Sequence, residues 1–105
     1  MEIRLLDGSI KTSKAEYDYV MSKVGTAAGR LKDSTCTVDV RLTDVNGPRG
    51  GLDKQCSIVV TPAGLGTLRV EEQAADYYAA IDAAAATFKK SLARSLERNK
   101  TNGPR

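Results

Sequence analysis

Two apolar alternations flank one glycine-rich tract, and that arrangement constrains the fold more than any other feature of the chain. Cys36, Val38, Val40 and Leu42 alternate with Thr37, Asp39, Arg41 and Thr43. Cys56, Ile58 and Val60 alternate with Ser57 and Val59. Successive side chains on a strand point to opposite faces, so each run buries one face and wets the other. Between them lies DVNGPRGGLDKQC, from Asp44 to Cys56. Asn46-Gly47 favours positive φ, Pro48 fixes φ, and Gly50-Gly51 lets the chain turn again. The tract is therefore expected to be a hairpin loop between antiparallel strands. A nucleotide-cradling loop fits poorly, because the Gly-Lys-Ser/Thr ending is missing and a strand follows instead of a helix. A hairpin tip that also meets a polyanion, through Arg49 and Lys54, fits the residues better.

The rest of the chain supplies two helices and two more strands. Ile3 and Leu5 alternate with Glu2 and Arg4, predicting a strand over residues 2–10 with an irregular end at Asp7-Gly8. Ser13 followed by Glu16 is a capping-box signature. Tyr17, Val20, Met21, Val24, Ala28 and Leu31 then recur at helical spacing and predict one apolar face. Gly25 and Gly29 weaken that helix by about 1 kcal/mol each relative to Ala, and its end is expected near Gly29. Pro62-Ala-Gly64 predicts a turn, and Leu68 and Val70 a short fourth strand. From Ala74 to Arg98 the core stripe is expected to be Tyr78, Ile81, Ala85, Phe88, Leu92 and Leu96, with Tyr77 at its edge. Lys90, Arg94 and Arg98 fall on the opposite side, and acid precedes base along the helix, as the helix dipole favours.

The order β-α-β-β-β-α, with one apolar sheet face and two amphipathic helices, predicts a two-layer α+β fold with both helices on one face. A single domain is expected over residues 1–99, with 100–105 a frayed tail. A length of 105 residues suits one modest core. The opening MEIRLLDGSIK has no apolar run after a basic start, so no secretory leader is expected. No run approaches the ~20 apolar residues of a membrane span. A cytoplasmic location is the expectation, with Cys36 and Cys56 reduced and buried.

Function is bounded mainly by what is missing. There is no His, so the usual general base and commonest metal ligand are absent. A thiol nucleophile would lack its His partner. Asp39, Asp44 and Asp53 form no ligand set at fixed spacing. Neither an enzyme, a metal nor a cofactor is expected. Trp is absent and aromatics are 5%, which leaves little material for stacking on bases. Lys and Arg number 16 against 13 acids, a mild excess that permits a polyanionic partner. Lys89, Lys90, Arg94, Arg98 and Lys100 concentrate it at one helix end. That group is either a solvated end matched to the helix dipole or a polyphosphate footprint.

The run RLTDVNGPRGGLDKQCSIVV, followed by the helix DYYAAIDAAAATFKKSLAR, resembles the ribosome hibernation promoting factor family, which includes the ribosome-associated inhibitors and sigma-54 modulation proteins. The resemblance rests on Asp44, Asn46-Gly47, Gly50-Gly51, Asp53-Lys54 and Cys56, with Ala79-Ala80-Ile81-Asp82 in the helix. Because the chain ends at Arg105, it is to the short members, which lack a further C-terminal domain. It implies a fold similar to a double-stranded RNA-binding domain. It also implies binding to rRNA of the small ribosomal subunit, where messenger RNA and tRNA would sit, and inhibition of translation under stress. The positions that would carry the contact are Lys89, Lys90, Arg94 and Arg98 in the second helix. Lys23, Arg30 and Lys32 in or after the first helix join them, with Arg49 and Lys54 in the hairpin. Gln55 departs from relatives that carry a base there. A general RNA-binding module of the same fold, acting away from the ribosome, is the alternative.

Overall fold

The computed structural model describes residues 2–6, 12–29, 36–45, 54–60 and 67–101, with side chains placed as far as residue 95. Its elements are β1 (Glu2–Leu6), α1 (Lys14–Ala27), β2 (Thr37–Asp44), β3 (Lys54–Val60), β4 (Leu68–Ala74) and α2 (Tyr77–Thr101). The order is the expected β-α-β-β-β-α, and the strands form one sheet in the order β1-β2-β3-β4. β1 runs parallel to β2, while β2–β3 and β3–β4 are antiparallel. A parallel pair needs a long crossover, and α1 supplies it. The expected end of the first strand at Asp7-Gly8, the tract from Asn46 to Asp53, the turn at Pro62 to Gly64, and the tail beyond Thr101 lie outside the described residues.

The alternations of β2 and β3 set the register. Leu42 pairs with Cys56, Val40 with Ile58 and Val38 with Val60, so all six face one side. Both helices cover that side. Val20 and Val24 of α1, with Ala80, Ile81, Ala84, Phe88 and Leu92 of α2, join those six and Val70 in one buried cluster. Phe88, Leu42, Ile58, Ile81 and Leu92 are its largest fully buried side chains, each contributing roughly 1.5–3 kcal/mol.

Both helix starts are fixed by side chains. Ser13 Oγ accepts from Glu16 N at 3.1 Å, and Glu16 Oε1 accepts from Ser13 N at 3.0 Å, completing the predicted capping box. The second helix begins at Tyr77, not at Ala74 as the periodicity predicts. Ala74 pairs with Lys54 and extends β4. Asp76 then caps α2, its Oδ1 accepting from Ala79 N at 2.8 Å and its carbonyl from Ala80 N at 3.0 Å.

Three apolar assignments change. Tyr17 is 47% exposed, and Tyr19 packs against the core instead. Tyr78 is 40% exposed, whereas Tyr77 is the partly buried member of the pair. Ala80 and Ala84 are buried, so the α2 stripe is centred nearer Tyr77 than Tyr78. The reason is shared: α1 and α2 lie side by side, and Tyr19 and Tyr78 fill the seam between them. Leu31 and the Leu96 side chain lie outside the described residues.

Candidate nucleic-acid interface

The seam between the helices opens into a groove of about 370 Å³. Ser22, Lys23, Thr26 and Ala27 line it from α1, and Asp82, Ala85, Ala86 and Lys89 from α2. It continues past Gly29 and Ala93. The α2 residues recur at steps of three and four, which places them along one ridge. Small side chains keep the floor low, so Lys23 and Lys89 stand above it as cationic rims.

At one end of the groove four side chains brace one another. Tyr19 donates its hydroxyl to Asp82 Oδ1 at 2.7 Å. Lys23 Nζ lies 3.5 Å from the same oxygen and 5.5 Å from the centre of the Tyr19 ring. The rings of Tyr19 and Tyr78 meet edge to face, 5.0 Å apart at 79°. The bond to the Asp82 carboxylate, with partial desolvation, raises the Tyr19 hydroxyl above its ordinary pKa of 10.0. Tyr19 therefore stays protonated and donating throughout the neutral range.

Lys89, Lys90 and Arg94 are exposed, and among the described residues none of the three is in an ion pair. One helical residue turns about 100°, so Lys89 looks into the groove while Lys90 and Arg94 lie beyond its rim. Lys90 and Arg94 are four residues apart, a like-charge spacing that costs a helix a few tenths of a kcal/mol. The open face of the sheet is different. There Arg4 is bidentate to Asp39 at 2.8 and 3.1 Å, and Arg69 meets Glu71 at 2.6 Å. A hollow of about 160 Å³ on that face is lined by Asp39, Arg41 and Arg69, two of which are already engaged. Gln55, also on that face, accepts from Gln73 Nε2 at 3.0 Å.

The hairpin base is partly turned inward. Asp44, Lys54 and Ala74 share one rung on the helix-facing side. Lys54 Nζ lies 3.3 Å from Asp44 Oδ2 and 5.8 Å from the centre of the Tyr77 ring, with only 24% of its side chain exposed. Glu72, on the same side, accepts from Thr87 Oγ1 at 2.8 Å. Lys54 thus ties the strand ends to the start of α2. Lys23 is held by Asp82. Arg30, Lys32 and Arg49 lie outside the described residues, as do the side chains of Arg98 and Lys100. The contribution of Tyr19 and Tyr78 escaped sequence reasoning, since low aromatic content argued against any aromatic surface. The adjacent pair at 77 and 78 was the available signal.

Among the described residues no group of three potential ligands could hold a metal. Cys36 and Cys56 are free and buried, and burial pushes the Cys56 thiol up to about 12. Among the described residues no helix is long and apolar enough to cross a membrane.

A two-layer α+β domain with Lys89, Lys90 and Arg94 exposed and, among the described residues, outside ion pairs on its helical side belongs to a class suited to holding a polyanion by charge and shape. The comparisons identify the family. The model of the sigma 54 modulation protein / S30EA ribosomal protein family matches residues 8–100, and the chain belongs to that family. The N-terminal domain of Protein Y from Thermus thermophilus is 32% identical, over 90% of this chain and 98% of that one, with a TM-score of 0.71. A ribosomal subunit interface protein from Coxiella burnetii shares the fold at a TM-score of 0.77 and 16% identity, over 92% of this chain and 99% of that one. No curated protein matches the chain significantly by sequence.

Proposed function

We propose that the protein is a ribosome hibernation factor of the cytoplasm. It binds rRNA of the small ribosomal subunit near the messenger RNA and tRNA sites and holds translation off under stress. Family membership carries this reading. The likeness of fold to a protein described as a ribosomal subunit interface protein agrees with it. So does the charge distribution, which leaves Lys89, Lys90 and Arg94 available on the helical side, whereas on the other side Arg4 and Arg69 are neutralised and Arg41 alone among the described residues stands outside an ion pair. The family resemblance adds Arg98, Arg30, Lys32 and Arg49 to the contact, and Lys23 and Lys54 act from within their ion pairs. Inhibition by occupancy needs no catalytic step, and none is assigned.

The test is sedimentation with purified small subunits, coupled to a cell-free translation assay. The protein is expected to co-migrate with the subunit and to reduce protein synthesis in proportion to occupancy. Undiminished synthesis with the factor in excess over ribosomes overturns the proposal. Free migration together with affinity for duplex RNA would instead favour a general RNA-binding module.

A further inference from the structure

We propose that Tyr78 is a stacking platform for one unpaired base of single-stranded RNA, with Lys23 and Lys89 meeting the phosphates alongside it. The proposal rests on the ribosome-binding reading and names the kind of contact made at that surface. Tyr78 is 40% exposed although it sits in a helix seam, so part of its side chain is open to a partner. It does not swing freely, because Tyr19 abuts it edge to face at 5.0 Å. Tyr19 is in turn fixed by its 2.7 Å bond to Asp82. A ring held this way loses little entropy when a base lands on it, and any base presents a π-face.

The surroundings select the ligand. Lys23 stands beside the ring pair and over Tyr19 at 5.5 Å. Asp82, four residues from Tyr78, is engaged by both Lys23 and Tyr19, so its charge is offset within the cluster. The groove then runs along α2 to Lys89, roughly 16 Å from Tyr78 at 1.5 Å per residue. An aromatic ring at one end of a low groove with cations along its rims matches a strand with splayed bases. A duplex keeps its bases stacked inside and could use only the lysines.

The chain contains no Trp, so Tyr78→Trp places a sole indole at the site. Titrating that variant with a short oligouridylate should quench its emission as binding saturates, saturation being followed independently by anisotropy of a labelled oligonucleotide. Tyr78→Ala should weaken oligouridylate binding roughly tenfold to a hundredfold while the salt dependence stays the same, because stacking releases no counterions. Tyr78→Phe should bind like the parent. Indole emission unchanged at saturation overturns the proposal, as does equal affinity of the Ala variant. The Trp readout stands even if the Ala variant folds poorly. If the parent sediments with the small subunit and Tyr78→Ala matches it in every assay, the stacking contact is wrong and the ribosome-binding reading survives. If the parent fails to sediment with the subunit, both fall.

Discussion

Cys56 shows how far a single position can be carried by alternation alone. Its inward direction follows from Ile58 and Val60, and the structure buries it completely. Desolvation of the thiolate raises its pKa from 9.0 to about 12, so the folded protein holds a proton that the unfolded chain gives up. The resulting stability is fully present below pH 9 and is lost as pH rises from 9 towards 12, by up to about 1.4 kcal/mol per pH unit. Cys56→Ala should be less stable at neutral pH because of the cavity, yet its stability should fall less steeply over that window. Denaturant melts at stepped alkaline pH check this, and parallel curves for the two proteins would refute it. Tyr77 and Tyr78 were harder to read. Both lie near the boundary of the apolar stripe, and what settles them is Tyr19 with its partner Asp82, which is 63 residues away in the chain. Only the packed helix pair brings those groups together.

At the scale of elements, the sequence revealed types better than limits or neighbours. The capping box placed α1 correctly because its two hydrogen bonds are local. The start of α2 shifted to Tyr77 because Ala74 has a ladder partner in Lys54, a nonlocal fact. The parallel pairing of β1 with β2 was not legible either, since alternation in β1 shows a buried face but not which strand lies beside it. The inward turn of Lys54 followed the same alternation as Cys56, but its partner Tyr77 arrives from another element. Gly25 offers a test within α1. A Cβ there would meet Ile3 Cδ1 at 3.7 Å, an ordinary contact. Helix propensity and reduced freedom of the unfolded chain then dominate, so Gly25→Ala should raise stability by about 0.5–1 kcal/mol. A fall in the urea midpoint would show instead that the α1–β1 contact cannot admit the methyl group.

For the whole molecule the question is what the division of charge between its two faces accomplishes. A net charge of +3 is too small to drive tight binding by itself, so the arrangement has to matter. Among the described residues the open sheet face pairs Arg4 and Arg69 with carboxylates and leaves Arg41 outside an ion pair, whereas Lys89, Lys90 and Arg94 crowd the middle of α2 against their mutual repulsion. All three precede the last turn of α2, where the helix dipole acts, so the dipole does not offset the cost of the Lys90–Arg94 spacing. A polyanion reverses that balance, because each phosphate neutralised releases counterions. Replacing Lys89, Lys90 and Arg94 together by Gln should change folding stability by less than about 0.5 kcal/mol per site, since all three are exposed. The same change should weaken small-subunit binding and flatten the slope of log K against log salt by up to about three on a duplex-like estimate. Thermal unfolding and subunit binding at several salt concentrations separate the two accounts. An altered melting temperature with unchanged affinity and slope would assign the three residues to the stability of α2, and would leave Arg49 and Lys54 as the better candidates for the rRNA contact.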